Sequence, residues 1–536
     1  MERPKQSIAR ERLVVVTVVV LLHWLGNLGS ALLVGAFDDD GVYTVLGKSL
    51  ATGRGYHSLY LVGAPVQVKF PPGLPWILAG LWRITGSVDG VQAAVRWLHP
   101  LVVGAAAAIL WTLARKRWKL EWGPAALLVL LPLVLDATIQ YTTIPLAEPW
   151  FLLGWALLLL TWDAAERTEG YRRCLLLALA GLSVAATMLV RSQGVVLLPA
   201  IILALFLRPR PAMDRVIALG AILVPLGLWH IYHHALIAAG PVASLPDEGT
   251  YGSWLAAAGT GFPAVVGRSV LANGRFYVDQ LGASLTAFRP LGAGLMGLGL
   301  GGMVIAALLL LRRQPVLAIS VLDSLALVLL WPFAQDRLLL WALPAGGLVL
   351  ALGLQRRLDR STPKLRLWVN VGCAVAIALV LLRQMDIRRD SIAAVAENRA
   401  PKLQGPSYEL LINSRFIATA SRWILANTPA ESRIMIDRQA GIYLYTGRQT
   451  MPASPTESPF VPSVFSVPGK YLASHILRDS LNYLIVGVPE PGIMRDVETI
   501  EKRCPGVLAW GGVAPGDSRR IYRIMPDSSC LGRIAD

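Results

Sequence analysis

Three consecutive carboxylates, Asp38, Asp39 and Asp40, follow the first long apolar run of the chain, which extends over residues 13–36. If that run crosses a bilayer, the carboxylates lie at the membrane surface, where they stay ionised and face a reaction on lipid. Such a position suits a general base. A structural role is the alternative, because Asp39 or Asp40 would also suit the N-cap of a short helix predicted over residues 41–52.

The composition indicates a membrane protein, since 54% of the residues are hydrophobic and the mean hydropathy is +0.54. A net charge of +16 would also suit a nucleic-acid-binding protein. However, the basic residues form short clusters between apolar runs, as membrane topology requires, so we expect no nucleic-acid partner. The first apolar run is about twice the length of a signal-peptide core, which predicts an uncleaved first span.

Apolar runs of sufficient length predict about eleven membrane spans. The predicted spans are 13–36, 96–114, 122–135, 147–161, 174–190, 194–207, 216–236, 290–311, 316–331, 338–354 and 367–384. If the N-terminus is cytoplasmic, six basic clusters fall on the cytoplasmic side, as the positive-inside rule requires. These clusters lie at 3–12, 115–119, 167–173, 208–215, 312–313 and 356–366. The three carboxylates are then outside.

Two segments are predicted as large outer loops. Residues 37–95 are too polar to cross, although 76–82 could form an amphipathic helix lying in the membrane interface. Residues 237–289 form the second loop, in which Tyr277 and Asp279 are among the polar and aromatic groups that could shape a site.

From about residue 385 the composition becomes that of a soluble domain. Helices are predicted at 414–427 and 471–479, and strands at 433–437, 482–488, 506–510 and 520–524. The fold class is therefore a polytopic α-helical membrane domain, residues 1–384, followed by an extracytoplasmic α/β domain, residues 385–536. Cys504 and Cys530 share that outer compartment, which favours a disulfide between them.

Several motifs, taken in order, resemble the GT-C membrane glycosyltransferases. Asp39 to Tyr43, Ser49 to Tyr56 and Lys69 to Pro75 are similar to the first outer loop of that superfamily. The groups most similar are the protein O-mannosyltransferases, the lipid A aminoarabinose transferases and the rhizobial lipopolysaccharide galacturonosyltransferases. Further similar segments are Ala147 to Phe151, Val190 to Gly194 with Pro199, Asp336 to Leu340 with Pro344, and Ala420 to Pro429 with Tyr445 to Arg448.

The resemblance implies transfer of a sugar from a polyprenyl-phosphate donor, with inversion at the sugar carbon. The acceptor would be a lipid, glycan or protein at the outer face of the bacterial inner membrane, and membrane lipids would be further partners. The first Asp of the family motif corresponds to Asp39. The second position is Asp40 where many relatives have Glu, and the last is Tyr43, which we assign to the substrate site.

The chemistry requires the same groups. A carboxylate that takes the proton of the attacking hydroxyl is typically worth about 100- to 10,000-fold in rate, and Asp39 is our candidate. Asp40 and Glu148 are further catalytic candidates. Cations near the outer face would stabilise the departing phosphate; the candidates are Lys69, Arg191 and Arg337.

Structural roles stand beside these assignments. Lys69 could bind lipid headgroups, Arg191 could pair with Glu148, and the side chain of Arg337 could extend to the interface. Glu148 itself could orient the substrate or pair with an arginine, since it begins an otherwise apolar segment.

Two motifs are not assigned a function. Gly292 to Gly297 matches a dinucleotide fingerprint but lies within an apolar span, which favours close helix packing. His230, His233 and His234 have helical spacing without a nearby carboxylate or cysteine, so we predict interfacial histidines and no metal site. No cofactor is predicted, and a divalent metal ion, although compatible with the activity, is not indicated. The alternative functions are a transporter or flippase of lipid-linked sugars and a surface-polysaccharide polymerase or ligase.

Overall fold

The computed structural model describes most of the chain. The described residues are 5–28, 30–207, 209–241, 262–286, 288–331, 347, 351–352, 355, 361–402, 406–453, 466–487, 491–513 and 520–535. Arg337 and nearly all of the predicted span 338–354 lie outside these residues.

The region up to residue 396 is helical wherever it is regular. Its helices are α1 Lys5–Asn27, α2 Asp39–Ala51, α3 Gly73–Thr85, α4 Val88–Thr112, α5 Trp122–Leu133, α6 Asp136–Tyr141, α7 Glu148–Ala165, α8 Gly170–Val190, α9 Leu197–Phe206, α10 Ala212–Ala239, α11 Phe262–Phe276, α12 Gly282–Leu285, α13 Arg289–Leu310, α14 Pro315–Leu330 and α15 Pro363–Ala396. Short π-helical turns, Leu113–Arg117 and Tyr277–Leu281, extend α4 and join α11 to α12, and a 3-10 turn, Ser192–Val196, precedes α9.

Five of the described helices are long and apolar enough to cross a membrane, namely α4 with its π-helical turn, α8, α10, α13 and α15. Three shorter apolar segments match further predicted spans: α5, α9 with its 3-10 turn, and α14. The predicted set of about eleven spans is thus supported in part.

The first predicted span was placed wrongly at its outer end, because α1 ends at Asn27 and not near residue 36. Side chains of α4 replace the helical hydrogen bonds beyond that point. Arg96 donates to the carbonyl oxygens of Ser30 (3.1 Å) and Leu32 (2.9 Å), and Gln92 also donates to Leu32 (2.6 Å). The chain can therefore leave the helix without orphaned carbonyl groups.

The described part of the second predicted outer loop is helical. Residues 262–285 form α11, a π-helical turn and α12, and do not form an irregular loop. Tyr277 is buried with Met296 and Val328 in a small apolar cluster. Tyr277 is therefore a core residue in the structure.

The main core of the helical region joins α4, α5, α7, α8, α9 and α14 around the buried rings of Phe151 and Trp155. Small residues allow close helix approach, as is common in membranes. A Cβ atom on Gly181 of α8 would lie 2.4 Å from the carbonyl oxygen of Ala218 of α10, so only glycine fits there.

The C-terminal region, residues 406–535, contains a five-stranded sheet. Its elements are α16 Pro406–Asn427, β1 Arg433–Ile436, α17 Gln439–Thr446, β2 Gln449–Met451, α18 Lys470–Asp479, β3 Tyr483–Val486, α19 Pro491–Arg503, β4 Leu508–Val513, β5 Arg520–Ile524 and α20 Ser528–Ala535. The strand order is β2-β1-β3-β5-β4, in which β1 is parallel to β2 and β3 while β5 is antiparallel to β3 and β4. The four predicted strands and both predicted helices are present; β2, α17, α19 and α20 were not predicted.

A disulfide joins Cys504 to Cys530, with their Cα atoms 5.8 Å apart. It connects the residue that follows α19 to α20 across a loop of 26 positions.

The predicted domain boundary at residue 385 falls inside a helix. The 34 residues of α15 span about 51 Å, which exceeds the roughly 30 Å hydrocarbon core of a bilayer. One end of α15 therefore extends beyond the apolar layer. The segment 30–87 also joins the C-terminal region, since the Thr450 N–H donates to the carbonyl oxygen of Tyr60 (2.7 Å) and Leu61 pairs with Thr450 as an isolated bridge.

Candidate active site

The three carboxylates form a tight turn at the start of α2. Asp38 occupies the N-cap position at φ +93° and makes no side-chain cap, and the helix begins at Asp39. The predicted N-cap role of Asp39 or Asp40 is therefore wrong. The side chain of Asp40 points back into the turn instead, where Oδ2 accepts the Gly35 N–H (2.7 Å) and Oδ1 accepts the Phe37 N–H (3.1 Å).

Burial separates Asp40 from Asp39. Asp40 has no exposed surface, and burial raises the pKa of this carboxyl to about 7 against the opposing effect of the two backbone N–H donors. Asp39 is half-buried in the first turn of α2, where the helix dipole favours an ionised carboxylate. Asp39 is thus better placed than Asp40 to meet a substrate, and Asp40 is better placed to close the turn.

A buried ion pair lies between α7 and α8. Glu148 begins α7, Arg191 directly follows α8, and Arg191 Nη1 is paired with Glu148 Oε1. Their exposed fractions are only 6% and 7%. The pairing of Arg191 with Glu148, which the sequence analysis gives as an alternative, is confirmed. Because two buried charges are costly to desolvate, this pair alone is weak evidence for stability.

Tyr141 contacts both the acidic turn and the wall around the ion pair. Its ring packs edge-on against Phe37, with centroids 5.6 Å apart. Tyr141 and Glu148 also line a cavity of about 20 Å³, room for one water molecule, whose other lining residues are Val103, Thr138, Thr142, Pro149 and Leu152. Tyr141 therefore borders both the acidic turn and the cavity lined by Glu148, two elements that the sequence separates by about a hundred residues.

Lys69 reaches the same region through aromatic contacts. Its Nζ lies 5.5 Å from the ring centroid of Phe70, and Phe70 packs edge-on against Tyr43 at 5.1 Å. Tyr43 is 4% exposed and belongs to the packed core that includes segment 30–87. Its ring therefore connects α2 to the segment that carries Lys69.

Comparison with known proteins identifies the fold. Residues 69–232 match the family model described as dolichyl-phosphate-mannose-protein mannosyltransferase. Among solved structures, ArnT from Cupriavidus metallidurans in the apo state superposes with a TM-score of 0.54 at 13% identity, covering 97% of this chain and 99% of that one. The chain has the GT-C fold. The fold that the resemblance implies is thereby confirmed.

Two further structures agree with the GT-C assignment. ArnT bound to undecaprenyl phosphate has a TM-score of 0.53 at 13% identity, over 96% of this chain and 99% of that one. The oligosaccharyltransferase AglB from Archaeoglobus fulgidus, in complex with an inhibitory peptide and a dolichol-phosphate, also gives 0.53 at 13% identity, over 96% and 74%. No curated protein sequence matches the chain. The family match begins at Lys69 and includes Glu148 and Arg191 but not the acidic turn.

Sequence reasoning did not single out His99, which is bonded to the first turn of α7. Trp150 Nε1 donates to His99 Nε2 (3.2 Å), two positions along α7 from Glu148. Since Nε2 accepts, a neutral His99 carries its proton on Nδ1. His99 is 1% exposed and precedes Pro100 within the apolar helix α4. The only indication of His99 in the sequence is that a histidine occurs within an apolar span.

The three histidines of α10 have different surroundings. His233 Nε2 donates to the carbonyl oxygen of Gln67 (2.8 Å), whereas His230 and His234 are exposed with ring centroids 4.4 Å apart. Among the residues that the structure describes, no three His, Cys, Asp or Glu side chains converge to hold a metal ion.

Proposed function

We propose that this protein transfers a sugar from a polyprenyl phosphate to an acceptor hydroxyl at the outer face of the bacterial inner membrane. The observation that carries the proposal is the convergence on Tyr141 of the acidic turn and the buried Glu148–Arg191 pair, within a GT-C fold. ArnT has been solved with undecaprenyl phosphate and AglB with a dolichol-phosphate, which favours a polyprenyl-phosphate donor here.

Asp39 is the proposed general base. The acceptor oxygen attacks the sugar carbon as Asp39 takes the hydroxyl proton, and the lipid phosphate leaves from the opposite face with the bonding electrons, which inverts the carbon. Asp39 lies in the first turn of α2, where the helix dipole favours negative charge. Asp40 holds the turn that presents it.

Lys69 and Arg191 are the proposed partners of the departing phosphate. Glu148 engages one nitrogen of the Arg191 guanidinium, which has five N–H donors in a fixed plane. The ion pair fixes the plane of the guanidinium, so the orientation of the remaining N–H donors is already set. These donors can therefore stabilise negative charge with little reorganisation. Lys69 adds a second positive charge.

The outer placement of the site rests on the distribution of basic clusters. If the N-terminus is cytoplasmic, the acidic turn, Glu148 and Arg191 all lie at outer ends of helices. A reporter that is active only in the cytoplasm, fused after Asp536, should then be silent. Strong reporter activity would reverse the orientation and move the reaction to the inner face.

The transfer reaction is testable with purified protein in liposomes. Undecaprenyl phosphate carrying labelled sugars is supplied with cell-envelope lipids and glycans as acceptors, and the product is identified by mass spectrometry. The parent should transfer label. Asp39→Asn should bind the donor equally well and lose at least about a hundredfold in rate, because the amide is not a base.

Two outcomes contradict the proposal. Near-normal transfer by Asp39→Asn would remove Asp39 as the base. Movement of the labelled donor across the liposome bilayer without transfer would identify a flippase instead.

A further inference from the structure

Three glycines bring the acidic turn against the C-terminal region without any intervening side chain. A Cβ atom on Gly35, which has φ +95°, would lie 2.4 Å from Gly441 Cα in α17. A Cβ atom on Gly41 of α2 would lie 3.1 Å from Ala440 Cβ and 3.2 Å from Gly441 N. The turn, α2 and α17 therefore touch through their backbones, and no larger residue fits at Gly35.

Side chains of the C-terminal region also bond the backbone that leads into the turn. The four bonds run from Leu33 N–H to Ser414 Oγ (2.9 Å), from Val34 N–H to Tyr445 Oη (3.1 Å), from Asn413 Nδ2 to Ala36 O (2.9 Å) and from Arg438 Nη1 to Phe37 O (3.4 Å). Ser414 and Asn413 are in α16, Arg438 directly precedes α17, and Tyr445 is within it. Every residue from 33 to 37 is thus held from the C-terminal region, either by one of these bonds or by the glycine contact.

We propose that the C-terminal region sets the position of the acidic turn, and that Gly441 and Tyr445 are positioning residues for sugar transfer. The inference rests on the proposed function of Asp39 as the base. Asp40 bonds the N–H groups of Gly35 and Phe37, so a displacement of residues 33–37 moves the start of α2 with them.

The expected sensitivity is large because proton transfer depends on geometry. A misplacement of about 1 Å costs on the order of a hundredfold in rate, and productive sites are held within about 0.5 Å. Burial raises the pKa of the Tyr445 hydroxyl above its usual value, so it remains neutral and protonated while it accepts the Val34 N–H. Tyr445 therefore acts on the turn through this hydrogen bond, since its neutral hydroxyl carries no charge.

Two variants test the inference. Gly441→Ala places a methyl group 2.9 Å from Ile417 Cδ1, 3.1 Å from Gly35 Cα and 3.2 Å from the carbonyl oxygen of Val34. The end of the Ile417 side chain can rotate away, whereas the two backbone atoms must shift by a few tenths of an ångström. Tyr445→Phe removes only the hydroxyl that accepts the Val34 N–H. Each should lower kcat at least about tenfold and leave the KM for the donor within about twofold.

Matched controls lie in the same region. Gly532→Ala in α20 adds a methyl group where no atom lies within 4 Å. Tyr471→Phe removes a buried hydroxyl that donates to the carbonyl oxygen of Pro452 (2.8 Å) and has no bond to residues 33–37. Both controls should keep kcat within about twofold of the parent, since they alter the C-terminal region without touching the turn.

Amide hydrogen exchange over residues 33–41 gives a second readout that does not need activity. Exchange there should be faster in Gly441→Ala and Tyr445→Phe and unchanged in both controls. If exchange in Gly441→Ala and Tyr445→Phe is unchanged, the positioning role is overturned. It is also overturned if exchange is faster in these variants while their kcat is unchanged. Both conclusions hold even if Asp39→Asn is inactive. If the parent transfers no sugar, the proposed function fails, while faster exchange in the two variants still supports control of the turn by the C-terminal region.

Discussion

The two sides of the candidate site are held in different ways. We call residues 33–41 the acidic edge and residues 66–72 the basic edge. Backbone contacts through Gly35 and Gly441, together with fixed hydrogen bonds, hold the acidic edge. Side chains of α10 and backbone hydrogen bonds at Val66 and Gln67 hold the basic edge.

A short series of hydrogen bonds supports the basic edge. His233 donates to the carbonyl oxygen of Gln67, and Gln67 Oε1 accepts the Lys69 N–H (2.8 Å). The His233 ring stacks on Trp229, with centroids 5.1 Å apart and an interplanar angle of 18°. The Val66 N–H also donates to the carbonyl oxygen of Pro241 beyond α10 (2.8 Å).

This difference suggests a division of tasks. A general base must be placed precisely, and backbone contact without space for a methyl group provides that precision. A cation that follows a lipid phosphate acts over a longer distance, and rotatable side chains let it adjust. Conservative substitutions should therefore be harmful at the acidic edge and tolerated at the basic edge.

The largest effect is expected from Asp40→Ala. The variant leaves the buried N–H groups of Gly35 and Phe37 without an acceptor, at about 1–3 kcal/mol each, so unfolding should become easier by roughly 2–6 kcal/mol and transfer should be lost. Thermal unfolding in detergent measures the first effect. Asp40→Asn keeps one carbonyl acceptor and should lose less. An Ala variant as stable as the parent would show that Asp40 does not hold the acidic edge.

Between the two edges, Glu148→Gln should destabilise the protein by about 3–5 kcal/mol, because Arg191 is left as an unpaired buried charge. The double variant Glu148→Gln, Arg191→Met should recover stability but not transfer. If the double variant also transfers sugar, the pair has only a structural role.

At the basic edge, Lys69→Met should raise the donor KM about 10- to 100-fold, since a charged hydrogen bond contributes about 1.5–3 kcal/mol. Lys69→Arg should stay within about tenfold of the parent, because the edge adjusts to the larger head group. Titration of the labelled donor measures both. Equal losses in the Arg and Met variants would show that this edge is as rigid as the acidic one.

A smaller effect is expected from His233→Phe, which keeps an aromatic ring on Trp229 and removes the hydrogen bond to Gln67. The loss of about 0.5–1.5 kcal/mol should raise the donor KM about 2- to 10-fold with little change in kcat. His230→Phe, on the exposed side of α10, is the matched control and should behave like the parent.

A further expected effect is the pH dependence of the acidic edge. The folded-state pKa of Asp40, about 7, lies above its ordinary value of 3.8, so the folded protein holds this proton more tightly than the unfolded chain. The resulting stability is fully present below about pH 4 and is lost as pH rises through about 7. Relative to Asp40→Asn, the unfolding temperature of the parent should therefore fall between about pH 5 and pH 8. A parallel pH profile for the two proteins would contradict this assignment.

Much of the local structure was predictable from the sequence. Hydrophobic periodicity placed the strands of the C-terminal sheet that begin at Arg433 and Tyr483, and it placed α16 and α18. It missed β2, which has three residues, because so short a strand has no period of its own. It extended the first span past Asn27, because the apolar residues continue there while the hydrogen bonds are supplied by Arg96 and Gln92 from another helix.

The sequence by itself determined the residue types that chemistry requires, and their order identified the GT-C fold before any contact was known. It also left Asp39 and Asp40 nearly equivalent, since both are acidic and adjacent. Only the tertiary structure separated them, because burial and two backbone N–H donors from the preceding turn assign Asp40 to closing it. The approach of Gly35 to Gly441, about four hundred residues apart, is likewise invisible in local patterns, because a contact between backbones leaves no signal in hydropathy or periodicity.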